Sequence, residues 1–260
     1  MNYIILPPRW KEMTPQERGV FVTDLMESKN AIHSDDYIIA LIKHGVDTTV
    51  AGACGNPMLV NAARCRGPTV LQAILEQPGA DINIANPDGE TAFIMATALG
   101  KLDNMKCLSA RNARVDAQSD SGETALNVFV SILYRGNLPE SAQNFGTDNI
   151  LRHLLFDAKC DPNIADKDGR APLDTCALLK DGLKTKWMLE AGADPATQAL
   201  KMAYLAGDKE TIALIQAAYD NSLAVLRAKA LQTATAGAAT PIDPVTVNIN
   251  PHKKRIRLEM

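Results

Sequence analysis

A turn glycine returns along this chain at a nearly fixed interval. Gly55 and Gly89 stand 34 residues apart, Gly89 and Gly122 stand 33 apart, and Gly122 and Gly169 stand 47 apart. The stretch 86–117, NPDGETAFIMATALGKLDNMKCLSARNARVDA, shows the unit once. It has a polar turn ending at Gly89, a short helical pattern from Thr91-Ala92-Phe93, a break at Gly100, a second helical pattern and a close at Arg114-Val115-Asp116. Such a period predicts stacked helix-turn-helix units, because one helix pair is too small to bury its own apolar face.

The same parts recur on both sides. Gly55-Asn56-Pro57-Met58-Leu59-Val60-Asn61-Ala62-Ala63 opens a unit that Gly79-Ala80-Asp81-Ile82-Asn83 closes. Asp166-Lys167-Asp168-Gly169-Arg170-Ala171-Pro172-Leu173-Asp174 opens another, closed by Ala191-Gly192-Ala193-Asp194-Pro195. The unit between them spans 47 residues instead of 33, an insertion of 14, and keeps its close at Cys160-Asp161-Pro162-Asn163. These motifs resemble the ankyrin repeat, whose helix start T-P-L-H-x-A and terminal G-A-D-x-N they follow. The resemblance covers roughly residues 35–217 and implies an all-α solenoid of about six repeats, caps included, with short β-hairpin-like turns.

The chain then divides as follows. Residues 1–13 form an extended lead-in, since Pro7-Pro8 cannot lie inside a helix, with Trp10 packing on the first repeat. Residues 14–219 form the repeat domain, entered through a capping box at Thr14-Pro15-Gln16-Glu17. Its parts are a capping repeat at 14–49, repeats at 52–84, 86–117, 119–165 and 166–196, and a C-terminal cap at 197–219. The inserted residues fall near 134–147, where Gly, Pro, Asn and Ser predict a loop. A C-terminal helix over 220–232 precedes a flexible Thr, Ala, Gly and Pro-rich tail, 233–260, that ends in the basic cluster Lys253-Lys254-Arg255-Ile256-Arg257.

Composition narrows the function. With 27 basic and 30 acidic residues the net charge is −3, so no global field calls for nucleic acid. The five cysteines are scattered, with no C-x-x-C pair and no histidine at metal-ligand spacing, which reads as reduced buried thiols in a reducing compartment. No run of about 18 apolar residues suggests a membrane span. The sequence has no G-x-S-x-G, no H-E-x-x-H and no phosphate loop, so no catalytic, cofactor or metal residues are assigned. A Cys-His dyad assembled by the fold stays open.

The resemblance implies a partner surface on the concave side, made of turn tips and the ends of the first helices. The tips are Pro87, Asp88 and Glu90, then Asp120, Ser121 and Glu123, then Lys167, Asp168 and Arg170, a mostly acidic ledge that turns mixed at its far end. Beside it, Leu99, Ile132, Leu178 and Leu179 form an apolar strip that lines a groove or belongs to the core. Phe145 and Tyr134 offer contact area in the insertion. The expected function is a non-catalytic, cytoplasmic scaffold that binds a protein partner bearing basic and apolar residues. The alternative is a bacterial-type effector exported into a host cell, its C-terminal tail read as an export, targeting or nuclear signal.

Overall fold

The computed structural model describes residues 6–27, 34–196 and 198–237. It contains two units, Met1–Tyr219 and Asp220–Met260. Among the described residues the structure is helical, with strand character confined to the isolated bridges Ala51–Pro57 and Ala85–Thr91.

The helices come in successive antiparallel pairs: α1 Pro15–Glu27 with α2 Asp35–Lys43, α3 Met58–Cys65 with α4 Pro68–Leu75, and α5 Ala92–Ala98 with α6 Leu102–Ser109. The fourth repeat has α7 Ala125–Arg135, the inserted α8 Glu140–Phe145 and α9 Thr147–Arg152, continued by a π-helical turn, His153–Asp157. The fifth has α10 Pro172–Cys176, a 3-10 turn at Ala177–Leu179 and α11 Gly182–Glu190; α12 Ala199–Ala206 and α13 Lys209–Gly237 follow. First helices α1, α3, α5, α7, α10 and α12 pack side by side in one row, and second helices form another behind it.

Side-chain caps fix where these short helices begin. Thr14 N donates to Glu17 Oε2 at 2.7 Å and Glu17 N donates back to Thr14 Oγ1 at 3.2 Å, a reciprocal box before α1. Thr91 accepts from Ile94 N, and Thr124 accepts from Asn127 N, at the equivalent points of the next repeats. Between the rows, Ala62, Ala92, Ala96 and Ala125 are buried and let first helices approach closely, while Phe93 and Phe129 fill the core. Trp10 is 3% exposed, edge-on to Phe21 at 6.3 Å between ring centroids. Arg18 ties it down, stacking over the indole and donating to the Trp10 carbonyl.

The recurring motifs hold one repeat to the next. Asn83 Oδ1 accepts from Arg114 N at 2.7 Å, Asp116 Oδ1 from Asp161 N at 2.9 Å, and Asn163 Oδ1 from Asp194 N at 2.7 Å. The closing polar residue is therefore a rung of a side-chain ladder, which explains why Asp116 serves where its neighbours have Asn. At the opening turns, Asn86 N donates to Glu90 O and Ser119 N to Glu123 O, each at 3.0 Å, closing two small hairpins. Asp120 N then donates to Asp88 O at 2.9 Å and stacks one hairpin on the next. Gly89, with φ +75°, serves both ends: a Cβ there would lie 2.7 Å from Asp120 N.

The insertion departs from the expected loop. Residues 140–145 form α8, and Ala142 on it is 1% exposed. Its partner is Gly100, φ +63°, whose added Cβ would meet Ala142 Cβ at 2.3 Å. A helix of this length has little stability alone, so docking on the preceding repeat is what orders it. Lys184, on α11, bridges onward to Asp148 and Asp181 at 2.8 and 2.6 Å. Burial alone would lower its pKa, but the two carboxylates outweigh that and raise it. The C-terminal helix also differs from expectation, since α13 continues past Gln232 to Gly237. The basic cluster at 253–257 lies outside the described residues.

Candidate partner-binding surfaces

The acidic tips stand together on the stacked hairpins. Asp88 and Asp120 are exposed, and Glu90 and Glu123 are half-buried. Their hydrogen-bond partners are neutral: Asn86 Nδ2 donates to Glu90 Oε2 at 3.0 Å and Ser121 Oγ to Glu123 Oε2 at 3.0 Å. Asn86 Nδ2 also donates to Asn56 Oδ1, joining the second tip to the third. Neutral partners orient these carboxylates and leave their charge in place. At the fifth tip Arg170 Nη2 lies 2.7 Å from Asp168 and 3.0 Å from Asp166. Hydrogen bonding to Asp166 raises the Arg170 pKa, and with exposed Lys167 this tip balances its own charge. The ledge is thus negative across the third and fourth repeats and balanced at the fifth.

Leu99, Ile132, Leu178 and Leu179 are all half-buried at the far ends of the first helices or in the turn that follows, and Leu179 also packs against the core. Phe145 is 37% exposed at the end of α8, and Tyr134 is 53% exposed on α7.

Geometry and sequence agree on what the repeats are. The ankyrin repeat family model matches residues 54–84, the unit that carries α3 and α4. The chain folds as an ankyrin-repeat solenoid. Ankyrin repeats serve as protein-interaction modules and are typically non-catalytic. Among the described residues no helix of this chain is long and apolar enough to cross a membrane.

One arrangement escaped the sequence reading. His153, 4% exposed in the π-helical turn, places Nε2 3.3 Å from Ser109 Oγ and Nδ1 3.1 Å from Asp157 Oδ2. Ser109 lies 44 residues away at the end of α6, so only the His153/Asp157 spacing of four was visible beforehand. The order Ser-His-Asp is that of a hydrolytic triad, but its surroundings are not. Backbone N–H groups of Ala110, Arg111, Asn112 and Ala113 all donate to carbonyls of α6, leaving them uncommitted to an oxyanion. The C-terminal end of a helix also disfavours developing negative charge. The contact instead pins the second helix of the fourth ankyrin repeat to that of the third.

The thiols divide by burial. Cys54 and Cys65 are exposed, while Cys107, Cys160 and Cys176 are buried. Burial pushes both Cys160 and Cys176 up to about 12, which keeps them protonated and poor nucleophiles. Among the described residues no group of three His, Cys, Asp or Glu side chains is placed to hold a metal.

Proposed function

We propose that the protein is a non-catalytic scaffold whose ledge and groove bind a partner presenting basic and apolar side chains. The observation that carries this reading is the set of four carboxylates, Asp88, Glu90, Asp120 and Glu123, on adjoining hairpins, with Glu90 and Glu123 held by neutral groups. Leu99 and Ile132 supply apolar surface at the opposite ends of the same first helices. Long-range attraction to the ledge speeds encounter and makes binding salt-sensitive; the apolar contacts hold the complex.

The test uses full-length protein and a labelled peptide of alternating Lys and Leu. The expected result is saturable binding that weakens in high salt and falls by about tenfold or more in an Asp88→Lys, Asp120→Lys variant, about 1.4 kcal/mol. Both positions are exposed, so an unchanged melting temperature accompanies the loss. Equal affinity for native protein and variant would overturn the ledge as the site.

A further inference from the structure

We propose a second docking surface at the other end of the first helices, where Phe145 of α8 stands between a charge-balanced pocket and a basic one, for an acidic peptide with an apolar side chain. Helix α5 has seven residues, a length of about 10 Å, so its hairpin end and its Gly100 end present separate surfaces. At the Gly100 end lies a cavity of about 380 Å³ lined by Asp35, Arg66, Lys101, Asn104 and Phe145 among others. A second, of about 440 Å³, is lined by Lys106, Phe145, Asn149 and Arg152 among others. Phe145 lines both and forms the ridge between them.

The first cavity is balanced, Arg66 and Lys101 against Asp35 and Asp103, and the second is basic, Lys106 and Arg152 against Asp157, opposite in sign to the ledge. Asp35 is drawn to Arg66 at 3.5 Å and Asp157 to His153, so two of the three carboxylates already face a donor. Lys101 is half-buried, its Nζ donating to Arg66 O at 3.4 Å, and burial lowers its pKa. An incoming carboxylate would favour its charged form. Arg152 stands over the Trp187 ring at 5.3 Å and the Phe156 ring at 5.8 Å, which orders its guanidinium before any partner arrives.

The ridge is held in place. Ala142 seats against Gly100, and Asn149 Nδ2 donates to Phe145 O at 2.8 Å, so α8 is fixed at both its middle and its end. An ordered, partly exposed aromatic beside the basic cavity fits an extended chain with an apolar residue over Phe145 and a carboxylate toward Lys106 and Arg152. The acidic ledge repels the same peptide, which directs it to this end. The two surfaces therefore select partners of opposite charge, and one molecule can bridge them.

Fluorescence anisotropy tests this with full-length protein and a labelled peptide of alternating Glu and Leu. Saturable binding is expected, lost in high salt and weakened about tenfold or more by Lys106→Glu and, separately, by Phe145→Ser. Both side chains are exposed, and unchanged melting temperatures keep the comparison one of binding. The Asp88→Lys, Asp120→Lys variant should bind this peptide at least as tightly as native protein. Absence of saturable binding, or retained affinity in either the Lys106 or the Phe145 variant, would overturn the proposal.

Discussion

The third and fourth repeats share a hairpin and a closing rung, yet they join their helices in different ways. In the third, Leu99, Gly100 and Lys101 turn the chain directly from α5 into α6. In the fourth, residues 136–146 separate α7 from α9 and carry α8. Solenoids tolerate long connections at little entropic cost, which would make the insertion a passive loop. The Gly100–Ala142 contact shows otherwise: the longer connection reaches back, braces the preceding repeat and brings Phe145 beside its turn. A one-residue feature of the third repeat, the missing Cβ at Gly100, thus depends on the fourth.

Breaking that dependence should have the largest effect. Gly100→Ala adds a Cβ within 2.3 Å of Ala142 Cβ at a backbone with φ +63°. The combined strain should cost about 2–4 kcal/mol, read from denaturant unfolding. Ala142→Gly in the same chain should recover little of the loss, because the Ala142 Cα at 2.6 Å and N at 2.8 Å still meet the added Cβ and the backbone strain remains. A Gly100→Ala variant as stable as the native chain would mean that α8 does not seat there.

Next in size is Asn104→Ala, which tests the third repeat's hold on the second. Asn104 is 2% exposed, and its Nδ2 donates to Ala63 O at 3.0 Å and Arg66 O at 2.9 Å. Two carbonyls lose a donor, so the expected cost is about 2 kcal/mol with the insertion still in place. A loss well below that would mean water replaces the amide.

The part of the fold legible in the sequence was the part written in local chemistry. Gly89 and Gly122 reported hairpins because only a left-handed turn residue suits that position, and Asn83 and Asn163 marked the closing rungs. Helix α8 was not legible: residues 140–145 read ESAQNF, with no apolar periodicity, and the burial of Ala142 comes from Gly100, about forty residues away. The two pockets were hidden for the same reason, since Arg66, Lys101, Lys106 and Arg152 come from turns and helices of three repeats. Arg66-Gly67 and Gly100-Lys101, a basic residue beside each inter-helix glycine, were the available signal.

Alkaline pH should separate the later repeats from the rest. Folded Cys160 and Cys176 titrate near 12 against an ordinary value of 9.0, both chiefly through burial. Above pH 9.0 the unfolded chain releases these protons and the folded chain retains them, so stability falls as pH rises toward 12. The slope is at most about 1.4 kcal/mol per pH unit for each thiol, and Cys160→Ala should reduce it. An unchanged slope in that variant would place the alkaline loss elsewhere.

The smallest stability effect, and the sharpest test of whether the two ends act separately, is Arg170→Ala. Its side chain is 51% exposed, so losing its pairs with Asp166 and Asp168 should change stability by about 0.5 kcal/mol. The hairpin survives, because Asp166 Oδ1 still accepts from the backbone N of Asp168 and of residue 170, both at 2.9 Å. The two released carboxylates then extend the negative ledge across the fifth tip. Association of the Lys-Leu peptide should quicken and become more salt-dependent, while the Glu-Leu peptide at Phe145 should respond little, lying at the far end of the first helices. If both peptides shift together, the ends share one field and the division into two surfaces fails; if only the basic peptide responds, each end recognises its partner by its own charge.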